Sequence, residues 1–272
     1  MKKTFQDVID KLPSNWIDVT KEGFQGHSET KEEKLGYYAL EVNAERACFY
    51  FGGCAVLHEL LEVLIASDYM KSIKNLNIGT FNESHGNYDY QESVKILSRG
   101  FFPKLETFTI GQYDELYNGG MNFQGILGDV TTLLEKMPNL KELELCGTFA
   151  LKKELNFNHL TKLILWSDSD TLEYFSDTVS DISQTTLSNF LLSNLPMLNY
   201  LELFVGEDSA FVFPEDFLEG RNVPNLEHLD IEGGFIVGEK EKILFSKIKE
   251  SCNIINIISK EKKSKNTIKL FS

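Results

Sequence analysis

Residues 137–145 read MPNLKELEL, and their spacing decides the fold. Leu140 is followed by Leu143 three positions on and by Leu145 two further. Leu143 and Leu145 alternate with Glu142 and Glu144, which is the period of a strand with one buried face. Pro138 stands two residues before Leu140. Proline fixes φ and lacks an N–H, so it ends the preceding element and opens a turn into the strand.

The same spacing recurs along the chain. It is found as Ile73, Leu76, Ile78, then as Leu105, Phe108, Ile110, and after residues 137–145 as Leu160, Leu163, Leu165. Leu198, Leu201, Leu203 and Leu226, Leu229, Ile231 follow. Weaker copies flank the set at Leu35, Tyr38, Leu40 and at Cys252, Ile255, Ile257. Pro103, Pro196 and Pro224 keep the phase of Pro138, so four of the six prolines stand two residues before a landmark. The intervening segments 55–70, 123–137, 187–195 and 242–248 carry apolar residues at helical spacing, such as Ile126, Leu127, Val130, Leu133 and Leu134. Alternating strands and helices predict an α/β fold with a parallel sheet and right-handed crossovers. One such unit cannot bury its own apolar face, so neighbouring units must stack.

The pattern resembles the leucine-rich repeat family, over roughly residues 72–257. LLEKMPNLKELEL and LPMLNYLELFVGED are most similar to uncharacterised bacterial cytoplasmic leucine-rich-repeat proteins. Steps of 32, 35, 20, 38, 28 and 26 residues separate the landmarks, and most copies lack the family's asparagine after the strand. The resemblance therefore implies an irregular horseshoe arc: a leucine-rich-repeat solenoid with a parallel concave sheet, helices on the convex side and capped ends. Residues 1–71 then form an N-terminal cap continuous with the repeats, 72–258 the repeats, and 259–272 a basic C-terminal capping segment, all in one domain. A separate small N-terminal domain is the alternative.

Stacked strands sort the residues between landmarks into columns on the open face. Trp166 and Phe204 fall on neighbouring strands, with Ile164 and Tyr200 beside them. Glu142, Glu144, Glu202, Asp230 and Glu232 surround this aromatic group. Aromatic anchors inside a charged rim are the composition of binding hot spots. The expected partner is another protein with a basic or mixed-charge surface. The competing expectation is a loop folded over the patch, for which residues 167–181 are long enough.

Composition narrows the function classes. The chain has 272 residues, with 27 Lys+Arg against 41 Asp+Glu and a net charge of −14. Phosphate recognition needs a basic field, so no nucleic-acid partner is expected. No run of 18 apolar residues exists, so no membrane span is expected, and Gln6, Asp7 and Asp10 occupy the place of a signal-peptide core. Cytoplasmic location follows as the expectation. Four cysteines without CxxC spacing predict buried thiols rather than a disulfide or zinc framework. Asp168-Ser169-Asp170 opens like a calcium loop, but the loop glycine is missing and Val179 stands where the bidentate glutamate belongs. The five histidines show no HExxH pairing, and there is no phosphate-cradling glycine loop or GxSxG elbow. No cofactor, metal or catalytic residues are therefore assigned. The leading expectation is a non-enzymatic protein-interaction module. An immunity-like neutraliser of a basic toxin and a hydrolase or transferase with a dispersed site are the alternatives.

Overall fold

The computed structural model describes residues 17–19, 23–27, 37–51, 54–80, 89–113, 125–167, 182–206, 210–241, 243 and 253–255. Among the described residues twelve strands form one large, mostly parallel sheet. They are β1 (Ile17–Val19), β2 (Gly23–His27), β3 (Tyr37–Val42), β4 (Arg46–Phe51), β5 (Asn75–Thr80), β6 (Thr107–Tyr113), β7 (Gly125–Asp129), β8 (Glu142–Ala150), β9 (Lys162–Ser167), β10 (Tyr200–Val205), β11 (His228–Glu232) and β12 (Asn253–Ile255). The order is β1-β2-β3-β4-β5-β6-β8-β9-β10-β11-β12, with β7 off this path against β8. The described helices are α1 (Cys54–Ala66), α2 (Gln91–Ser98), α3 (Thr131–Leu134), α4 (Gln184–Leu192) and α5 (Glu215–Leu218), with a 3-10 turn at Asp68–Lys71.

From β4 to β12 every pairing along the path is parallel. The landmark pattern sets the register: Leu76 pairs Phe108, Phe108 pairs Leu143, Leu143 pairs Leu163, Leu163 pairs Leu201 and Leu201 pairs Leu229. All six are buried in one core with Leu57, Leu60, Leu61 and Leu64 of α1 and with Leu187, Phe190 and Leu191 of α4. Those helical residues recur at three- and four-residue steps, which turns one stripe of each helix toward the sheet.

The in-phase prolines sit where the strand is launched. Leu105, Leu140, Leu198 and Leu226 donate their N–H to the carbonyls of Phe102, Met137, Leu195 and Val223 at 3.2–3.3 Å. Each is a four-residue turn with proline second, where its fixed φ is already correct. Asn139 and Asn225 occupy the third position, and their amides donate to the carbonyls of Pro103 and Pro196 in the preceding turn, each at 2.6 Å. One residue past Ile73, Leu105, Leu140, Leu160 and Leu198, a carbonyl accepts two N–H groups from the next strand's start. The Lys141 carbonyl takes Thr161 and Lys162 at 2.8 and 3.0 Å, and the Thr161 carbonyl takes Asn199 and Tyr200 at 3.0 and 3.1 Å. The series begins at Glu45, whose carbonyl takes Lys74 and Asn75 at 2.8 and 3.0 Å.

Four expectations are corrected. The sheet is not parallel throughout, because β1 to β4 form an antiparallel meander. The strand at Tyr38 and Leu40 exists, but the first parallel strand is β4, where Ala47 and Phe49 pair Leu76 and Ile78. Segment 123–137 is not one helix: Ile126 and Leu127 lie in β7, which pairs the far half of β8, and only Thr131–Leu134 is helical. Gly125 and Gly128 disfavour a helix there. At the C-terminal end Ile231 pairs Ile254, where the spacing of Cys252, Ile255 and Ile257 predicts Ile257, so that copy is shifted from the expected register. Most of 242–248, the acidic stretch 168–181 and the basic segment 259–272 lie outside the described residues.

β8 serves two pairings through one bend. Its first half pairs β6 and β9, and beyond Gly147 it pairs β7. Gly147 has φ +132, and a Cβ there would stand 2.1 Å from the Gly125 carbonyl oxygen. Only a residue without Cβ allows the two backbones this close.

Candidate binding face on the sheet

Register places the candidate residues in three adjoining rows on the face opposite the landmark leucines. Glu142, Lys162, Tyr200 and His228 form the first row. Glu144, Ile164, Glu202 and Asp230 form the second. Cys146, Trp166, Phe204 and Glu232 form the third. All nine residues expected from sequence therefore share one face of β8 to β11.

The face changes character along the sheet. Toward the N-terminal strands it carries buried Cys48, Tyr50, Asn77 and Thr109. At β8 and β9 Cys146 and Ile164 are still buried. On β9 to β11 Trp166, Tyr200, Glu202, Phe204, His228, Asp230 and Glu232 are all partly open, and Glu142 is exposed. The opening thus coincides with the aromatic and acidic residues. On β4, Arg46, Cys48 and Tyr50 lie on this same face, opposite Asn75, Asn77 and Gly79 of β5.

Two ring stacks cross this face. Trp166 and Phe204 are register partners, and their rings lie 4.1 Å apart with planes 12° from parallel. Tyr200 and His228 are likewise partners, 4.2 Å apart and 6° from parallel. Directly opposed side chains on neighbouring strands stand close enough for such stacking. The Lys162 ammonium lies 5.4 Å from the centre of the Tyr200 ring. Lys162 and His228 therefore belong to the patch, although sequence reasoning left them out of the candidate site. Their adjacency to Tyr200 in the first row was the available signal.

The second row, with Glu144, Glu202 and Asp230, runs between the rows that carry the two stacks. The Tyr200 hydroxyl donates to Glu202 Oε2 at 2.9 Å, and the Cys146 thiol to Glu144 Oε1 at 3.7 Å. Burial, with the charges of Glu144 and Glu202, pushes the Cys146 thiol up. Burial, its bond to Glu202 and the charges of Glu202, Asp230 and Glu144 push the Tyr200 phenol from 10.0 up to about 12. A raised phenol favours the native state while it stays protonated. That contribution is complete below pH 10 and is lost as pH rises from 10 toward 12. Phenolate absorbance during an alkaline titration should therefore show a late-ionising tyrosine. Glu202→Gln/Asp230→Asn should bring it back toward 10, and no change in the titration would deny that these acids face the phenol.

Among the described residues no helix is long and apolar enough to cross a membrane, and no group of three or more His, Cys, Asp and Glu is placed to hold a metal. The chain is similar in structure to a Bacteroides fragilis protein of known crystal structure. The two share 16% identity and a TM-score of 0.49, over 88% of this chain and 75% of that one. No family model and no curated protein matches the sequence.

Proposed function

We propose that the chain is a cytoplasmic leucine-rich-repeat solenoid that binds a basic or mixed-charge protein on its concave sheet face and performs no catalysis. The parallel register of the landmarks, the stacked proline turns and the shared-carbonyl series support the repeat reading. The binding reading rests on one observation: Trp166 and Phe204 form a partly open ring stack beside five carboxylates. Stacked aromatics present a large, rigid apolar surface at little entropic cost, and acids around it select cationic partners.

Affinity purification from the native host, at low and high salt, tests this directly. The Trp166→Ala/Phe204→Ala variant should lose the captured partner by about a hundredfold or more in affinity, the loss expected when central anchors are truncated. Circular dichroism should show its fold intact. A partner held equally well by a folded double variant would remove the face from consideration.

A further inference from the structure

We propose that the partner engages this face through an arginine side chain, seated between the two ring stacks and held by Glu202 and Asp230. The inference rests on the reading of the face as a protein-binding surface and names the group that binds there.

Glu202 and Asp230 are direct register partners on β10 and β11. Like charges directly opposed across two strands repel and destabilise the sheet. Several acids elsewhere on the chain pair with cations: Glu45 with Lys74 at 2.7 Å, Glu106 with Lys141 at 3.0 Å, Asp129 with Lys152 at 2.8 Å and Glu215 with Lys240 at 2.7 Å. Neither Glu202 nor Asp230 has a cation partner among the described residues, although both are partly buried and feel each other more strongly than surface charges do. The Glu202 oxygen Oε2 is turned by the Tyr200 hydroxyl, which fixes one carboxylate and leaves its other oxygen to accept. The fold therefore holds two carboxylates side by side, at the cost of their repulsion, with no ion-pair partner for either among the described residues.

The surroundings select the cation. Successive outward residues on one strand stand roughly 7 Å apart, so the acid pair lies about that far from a stack on either side. A guanidinium is planar, weakly hydrated and carries five donors. It can bridge two carboxylates while its stem and plane lie against aromatic rings. A lysine ammonium is a compact, strongly hydrated point charge that gains less from flat rings and loses more on partial burial. A divalent metal is disfavoured, because the described acids here do not converge as a set of three ligands. The same acids repel phosphate, which argues against lipid headgroups and nucleic acid.

Two labelled eleven-residue peptides of Ser and Gly test this, one with three arginines and one with three lysines. Anisotropy titration of the native chain should show the arginine peptide binding at least about tenfold more tightly. Glu202→Gln/Asp230→Asn should abolish that preference and melt no earlier than the native chain, because it removes a repulsion. Equal or absent binding of the two peptides to the native chain overturns the arginine anchor. So does a preference that survives in the variant, and so does a variant that melts earlier. The interaction reading is decided separately, by host-partner capture with the native chain and with Trp166→Ala/Phe204→Ala, so the two can fail independently.

Discussion

Phe190→Ala lowers the stability of the chain by about 3–5 kcal/mol, the loss typical of emptying a buried aromatic site. Phe190 is fully buried on α4. Its ring meets Phe149 edge-on at 5.9 Å and Phe157 nearly parallel at 6.5 Å. It thus joins a helix, the far end of β8 and the segment leading into β9. The backbone around it is pinned: the Asn189 amide donates to the Leu151 carbonyl at 2.6 Å, and the Ser193 hydroxyl to the Asn189 carbonyl at 2.6 Å. A site held this way cannot collapse easily onto the missing ring, which places the expected loss at the upper end of the range. Urea unfolding should show a lower midpoint with an unchanged slope. A loss below about 1 kcal/mol would mean that the three rings do not share one cluster.

Gly147→Ala should cost about 2–6 kcal/mol, combining a strained backbone with an overpacked contact. At φ +132 the new residue is in a conformation that side chains rarely adopt. Its Cβ would also stand 2.1 Å from the Gly125 carbonyl oxygen and 2.7 Å from Leu127 Cδ1. The first atom is backbone and cannot step aside without moving β7. Gly220→Ala separates the two causes, since Gly220 has φ +72 but no atom within 4 Å of its added Cβ. It should cost only about 1 kcal/mol. Equal losses at the two glycines would show that the β7–β8 approach adds nothing to the backbone strain.

Strand positions were legible wherever two large apolar residues alternate with polar ones, as Leu143 and Leu145 do with Glu142 and Glu144. Their neighbours on the sheet followed from phase alone, and so did the grouping of Trp166, Phe204, Tyr200 and the surrounding acids. Residues 45–51, ERACFYF, read as a strand and form β4, but their place as the first of the parallel series was hidden because Ala47 stands where the other copies carry leucine or phenylalanine, and alanine gives little hydrophobic signal. Strand direction was also hidden: the spacing at Tyr38 and Leu40 marks a strand but is the same for parallel and antiparallel neighbours. In residues 125–134 the apolar spacing fitted both a helix and a strand followed by a turn, and the glycines decided it. At Asn253–Ile255 the run of isoleucines offers no polar alternation to set the register. The openness of the face was not in the sequence, because exposure depends on what the rest of the chain covers.

The uneven steps between landmarks have a consequence for how such a chain can change. Leu140 and Leu160 are 20 residues apart, and Leu160 and Leu198 are 38 apart, yet β8, β9 and β10 keep the same register. All the length variation falls on the return path between one strand and the next turn. Residues can be gained or lost there without displacing a single outward side chain. Each strand also contributes its outward residues as a separate set, so exchanging one set leaves the leucines behind it untouched. Such a surface can acquire a new specificity by substitution and a new rim by insertion, along two nearly independent routes.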